Sequence, residues 1–255
     1  MKQNQNPDVS ACGADGCSIP STSDQMKGFD ADAQGLELHV ISDVICPWCF
    51  VGKRRLDEAL ANIRAEGTNI RVRWLPYELN PGMPREGIER NEYRARKFGS
   101  LERSRALDAG VALAGKAEGI TFRHDLMQRT PNTIEAHRLI WLADRERVQD
   151  AIVEALFEAY FTQGRDVGNR EVLIEIAAHS GLNRDLVQTF LEGHDGTDEV
   201  KKEIQSAEKM GVHSVPTFAI DGRVLFSGAQ PASVMSDVFR RAISISTGPI
   251  APQQS

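Results

Sequence analysis

The chain has 255 residues, 41% of them hydrophobic, enough to bury a substantial core as one large domain or as one domain carrying an insertion. Its net charge of -6 and sequence pI near 5.6, without a dense basic cluster, argue against a nucleic-acid partner. No apolar run approaches the roughly 18 residues that span a bilayer, and residues 1–30 hold no signal-peptide core, so no membrane partner and a cytoplasmic location are expected.

Residues 1–35 are rich in Asn, Gln, Asp, Ser and Gly and are expected to form a flexible tail. Within them Cys12-Gly13-Ala14-Asp15-Gly16-Cys17 places two thiols on either side of a glycine-containing spacer. Such a pair can close, and it is a candidate auxiliary redox pair; an unreactive exposed pair is the plainer alternative. The four cysteines of the chain, in a cytoplasmic setting, point to catalysis or metal binding more than to structural bridges. Zinc held by all four thiolates would silence a redox site as a resting state and is kept as a minor alternative, because Cys46 and Cys49 already have a strand-to-helix setting; no metal is expected.

Residues 36–45 mix alternation with β-branched side chains and read as a strand. Cys46-Pro47-Trp48-Cys49 follows where this strand gives way to a helix. Cys49, Leu56, Leu60 and Ile63 share one helical face, so Cys49 continues a buried stripe while Cys46 stands at the helix start. Pro47 suits the first helical position. Unpaired backbone donors and the positive end of the helix dipole there favour the thiolate of Cys46. Cys49, three residues on, is positioned to attack a mixed disulfide on Cys46. The expectation is an asymmetric pair, one thiol exposed and one buried. Asp43, near the strand end, is a candidate proton relay for Cys49, or else a solvated charge or cap.

Residues 69–75 alternate as a second strand, so a parallel βαβ unit is expected, with Pro76, Pro81 and Pro84 ending it. From about residue 88 to 196 the pattern is helical, with segments at 133–147, 148–161, 170–178 and 184–191. A further helix over 199–210 stops at Gly211. Strands at 217–220 and 223–226 flank Asp221-Gly222, the dipeptide of a tight hairpin turn, and residues 232–243 close with a helix. This order is that of an α/β, thioredoxin-like fold with a large all-helical insertion between its βαβ and ββα halves. The expected domains are a thioredoxin-like one from 36–87 and 197–245, a helical insertion from 88–196, and tails at 1–35 and 246–255.

At Val215-Pro216-Thr217 a proline opens a strand directly after a turn. Alone it is more simply a trans-proline at an edge strand. Beside a CxxC it fits a cis-proline whose bend presents the Val215 backbone to an extended substrate. His213 nearby is given no role.

Three stretches carry a family resemblance: residues 43–56 around Cys46-Pro47-Trp48-Cys49, Asn132-Thr133 with Ala136-His137-Arg138, and residues 211–218 around Val215-Pro216. Over residues 36–243 the chain resembles the DsbA-like thioredoxin superfamily, and within it the FrnE-type dithiol-disulfide oxidoreductases. The resemblance implies Cys46 as nucleophile, Cys49 as resolving thiol, and Val215, Pro216 and Trp48 as the substrate-binding surface. It implies no bound cofactor, and thiol- or disulfide-containing proteins as partners. Trp48 stands where strongly oxidising relatives carry histidine, which implies a milder oxidant. The related 2-hydroxychromene-2-carboxylate isomerases and kappa-class glutathione transferases carry serine near the first cysteine position. Here both cysteines remain, which weakens the isomerase reading; a glutathione-dependent isomerase or transferase, with the helical insertion over the cysteines and glutathione as co-substrate, stays as the alternative, and a metal- or partner-binding module is the lesser one.

Overall fold

The computed structural model describes residues 36–247, with side chains to 245. Cys12 and Cys17, with the expected N-terminal tail, lie outside the described residues. The alternating residues of β1 (Leu36–Ser42) and β2 (Ile70–Pro76) pair in parallel, joined by α1 (Pro47–Ala65). Pro76 is the last residue of β2 instead of its terminator. It lies on the sheet edge, where a missing N–H costs no ladder bond, and the Tyr77 N–H then donates to the Ser42 carbonyl at 2.9 Å.

Between β2 and the second half of the sheet run β3 (Ile88–Glu89), α2 (Arg90–Phe98), α3 (Leu101–Ala117), β4 (Arg129–Thr130), α4 (Ile134–Arg145), α5 (Gln149–Phe161), α6 (Arg170–His179) and α7 (Arg184–Glu192). The β3–β4 ladder corrects the all-helical expectation for this segment. Two residues per strand are too few to show a period of two, so the pattern could not reveal it. Side-chain caps start several of the helices: Ser100 accepts from the Arg103 N–H at 3.1 Å, and Asn183 from the Leu186 N–H at 3.0 Å.

The chain returns through α8 (Thr197–Lys209) to β5 (Thr217–Ile220), β6 (Arg223–Ser227) and α9 (Ala232–Thr247). The sheet order is β2-β1-β5-β6, with β5 antiparallel to both β1 and β6. Asp221 and Gly222 both take positive φ, 49° and 73°, as a tight hairpin turn demands. Alternation along β1 sends Leu38 and Val40 into the main core with Leu56 of α1 and Phe239 of α9, while Ile41 turns to the other face with Ala207 of α8. The fold is thioredoxin-like with added helices. Among the described residues no helix is long and apolar enough to cross a membrane.

Two contacts bind α1 to the inserted helix α5. Phe50 stacks on Phe157, with ring centroids 5.3 Å apart, and on Phe161 at 6.1 Å. One turn on, buried Lys53 meets Asp57 at 3.0 Å, Asp150 at 3.1 Å and Glu154 at 3.4 Å. Phe50 directly follows Cys49 and is 1% exposed, so its loss opens a void under the CxxC. We expect Phe50→Ala to cost about 3 to 5 kcal/mol, read as a lowered urea midpoint at unchanged m-value; a loss below about 1 kcal/mol would contradict this role.

Candidate active site

The turn after β1 is closed by the Cys46 N–H donating to the Asp43 carbonyl at 3.0 Å. It delivers Cys46 as the N-cap residue of α1, with extended backbone (φ -89°, ψ 110°) and Pro47 at the first helical position. No side chain caps this helix end. Both cysteines are free thiols. Cys49 is fully buried, and Cys46 is only 5% exposed, which corrects the expected contrast of an exposed and a buried thiol. The exposed member of the motif is Trp48, at 44%. Cys46 is reached through a cavity of about 510 Å³ that Trp48, Val215 and residues of α2 and α3 also line.

The loop before β5 closes the other side. The Val215–Pro216 peptide bond is cis, and the Cys46 thiol donates to the Val215 carbonyl at 3.6 Å. Thr217 braces the loop, its hydroxyl donating to the Ser214 carbonyl at 2.7 Å and sharing a 2.6 Å bond with the Ser227 hydroxyl. Pro216 lies against α1 where only glycine fits: a Cβ on Gly52 would stand 2.9 Å from the Pro216 ring. Gly52 carries no signal of its own in the sequence, although its place three residues after Cys49 makes the two neighbours on the helix surface. His213, given no role, also lines the cavity.

Burial pushes the Cys49 thiol well above its ordinary range, and the adjoining Cys46 thiol pushes in the same direction; hydrogen bonds from the Ser42 hydroxyl and the Asp43 backbone oppose both. Asp43 is fully buried and is not a solvated strand-end charge. Its carboxylate accepts from the Leu79 N–H at 2.7 Å and the Ile45 N–H at 3.3 Å, and burial raises its pKa to about 7. Buried His137 of α4 lies 3.8 Å from Asp43, but its Nε2–H donates to the Tyr77 carbonyl at 3.0 Å. Burial lowers its pKa to about 4, so the two side chains form no ion pair near neutral pH. His137 lies in a stretch that carries the family resemblance, but only folding makes it a neighbour of Asp43. Among the described residues no group of three or more His, Cys, Asp or Glu is placed to hold a metal ion.

Residues 37–240 match the DSBA-like thioredoxin domain. The sequence is 24% identical over 210 residues to the uncharacterized protein YwbO of Bacillus subtilis, covering 82% of this chain and 96% of that one. The fold is similar to that of a probable DsbA oxidoreductase from Streptomyces coelicolor, with 29% identity, a TM-score of 0.74, and coverage of 86% and 93% of the two chains. It is also similar to the fold of the cytosolic disulfide reductase DsbM from Pseudomonas aeruginosa, with 19% identity, a TM-score of 0.57, and coverage of 83% and 98%.

Asp43 and His137 make opposite contributions to stability as pH changes. Asp43 goes from an ordinary 3.8 to about 7 on folding, so between these values the native state binds the extra proton and stability falls as pH rises. His137 goes from 6.5 to about 4, so over that window the unfolded state binds the extra proton and stability rises with pH. Folding thus transfers a proton between the two sites with little net uptake. His137→Gln keeps a donor for Tyr77 and removes the rising component. Between pH 5 and 6.5 its stability should fall relative to the parent by about 2 kcal/mol, from one proton at 1.36 kcal/mol per pH unit. Urea titrations at the two pH values read this, and parallel profiles would refute it.

Proposed function

The chain belongs to the DSBA-like thioredoxin domain family, and from that premise we propose that it is a thiol-disulfide oxidoreductase working through Cys46 and Cys49 on dithiols and disulfides of proteins. The observation that carries this proposal is the shared position of two free thiols at the start of α1, under the carbonyl that precedes a cis-proline. Cys46 is the nucleophile: its thiolate attacks a disulfide sulfur, forms a mixed disulfide and expels one thiolate. Cys49 then attacks the Cys46 sulfur, forms the Cys46–Cys49 bond and releases the second.

Burial keeps Cys49 protonated until that step, so the attack needs a proton acceptor close by. Asp43, whose carboxyl titrates at about 7 and whose backbone touches the Cys49 sulfur, is proposed as that acceptor. Trp48 and Val215, on the rim and wall of the cavity, are proposed to contact the substrate, with Pro216 holding the loop in place. The retention of both thiols favours redox chemistry over the isomerase alternative, which needs no second sulfur. Cys12 and Cys17 are proposed from their spacing alone as an auxiliary dithiol, and the cytoplasm as the location.

Cys46→Ser should abolish turnover in dithiothreitol-driven insulin reduction, a loss of at least about 10³-fold for removal of a covalent nucleophile. Cys49→Ser should accumulate mixed disulfides with client proteins on non-reducing gels. Full turnover in Cys46→Ser would sink the proposal.

A further inference from the structure

The cavity beside Cys46 carries a charge of its own. Along α2, Arg90, Arg94 and Lys97 recur at intervals of four and three, which places them on one helical face, and all three line the cavity. Arg90 is only 8% exposed and pairs with Asp108 at 3.0 Å. Arg94 pairs with the same carboxylate and donates to the Ser104 hydroxyl at 2.6 Å. Two guanidinium groups thus share one carboxylate. Lys97 donates to Asn80 Oδ1 at 2.9 Å and to the Tyr93 hydroxyl at 2.6 Å, both neutral, and makes no ion pair among the described residues. The lining therefore holds three cations against one carboxylate, in a chain of net charge -6.

The rest of the wall is largely apolar, with Leu79, Val111, Met127 and Phe161. Arg90 and Arg94, whose side chains are only 10% and 14% exposed, have one carboxylate between them, so the charge left over is poorly solvated and is best compensated by an anion that enters with the ligand, which exposed Lys97 would also attract. At about 510 Å³ the cavity has the size of a small-molecule site, while an extended polypeptide would seat only a side chain or two there.

We infer that this cavity binds a low-molecular-weight disulfide bearing carboxylate groups, which α2 holds by its anion through Arg90, Arg94 and Lys97 while its sulfur is presented to Cys46. This rests on the redox role proposed for Cys46 and adds a substrate class to it. Cys46 thiolate attacks one sulfur of the disulfide, so a bond from Cys46 to that sulfur forms, the S–S bond breaks, and one carboxylate-bearing thiolate leaves. Cys49 gives up its proton to Asp43, as proposed above, and attacks the Cys46 sulfur, forming the Cys46–Cys49 disulfide and expelling the second thiolate. The small disulfide is reduced by two electrons and the protein pair is oxidised by two; the reverse sequence oxidises the small thiol.

The test uses the full reduced chain and three disulfides of matched length: 3,3′-dithiodipropionate (dianionic), bis(2-hydroxyethyl) disulfide (neutral) and cystamine (dicationic). Oxidation of the Cys46–Cys49 pair is followed by alkylation and peptide mapping, and each rate is divided by the rate of free dithiothreitol with the same disulfide. The dianion should exceed the dication by at least about tenfold after this correction, and the preference should shrink with added salt. Lys97→Met should reduce the ratio about fivefold and Lys97→Glu further; Lys97 is exposed, so both variants are expected to fold, and Arg94→Met should act in the same direction. Corrected rates that ignore charge, or a ratio unmoved by Lys97→Glu, would overturn the inference and leave the redox role standing. Failure of all three disulfides to oxidise the pair would overturn the inference, and only failure to turn over insulin as well would overturn the redox role.

Discussion

The close approach of α1 to the turn before β5 governs the arrangement of the site. It has two points of contact: the Cys46 thiol under the Val215 carbonyl, and the Pro216 ring against the bare Cα of Gly52. Sequence-distant halves of the fold meet there, and each supplies what the other lacks. The helix brings thiols and an uncapped N-terminus; the loop brings backbone polarity and a rigid wall. A side chain at Gly52 would separate the two elements and take the carbonyl away from the sulfur.

The inserted helices are fastened to this junction from the opposite side. Burial alone would lower the pKa of Lys53, yet Asp150, Asp57 and Glu154 around it hold it above its ordinary value, so a charged lysine is kept inside. Such a cluster is expensive to desolvate and adds little net stability, but it defines how α5 sits on α1 because the lysine must reach carboxylates on both helices. The Phe50 stack supplies the apolar part of the same joint. The other inserted helices, α2 and α3, line the cavity that Cys46 faces.

Much of this was legible along the chain. The apolar stripe through Cys49, Leu56, Leu60 and Ile63 gave the helix and its buried face, and Asp221-Gly222 gave the hairpin because few other residue pairs accept two positive φ angles. Val215-Pro216 was found because proline alone makes a cis bond cheap. What escaped notice has physical causes. The face of α2 that borders the cavity is partly cationic, and a search for apolar periodicity passes over Arg90, Arg94 and Lys97. Asp43 and His137 meet only through tertiary packing, so their shifted proton affinities have no local signature. The low exposure of Cys46 likewise depends on segments far from it in the chain.

The position of β1 in the sheet bears on how the protein is made. β1 lies between β2, which follows closely, and β5, which arrives only after the whole inserted segment. Pairing of Val40 with Phe218 closes a very long loop, a contact that forms late because its entropy must be met before it stabilises anything. During synthesis the CxxC helix and its first two strands therefore leave the ribosome with one edge of β1 open and no Val215 carbonyl over Cys46. The nascent chain thus carries the Cys46 thiol past α2 and α3 before the Val215 loop arrives, and the site is complete only with the last quarter of the chain.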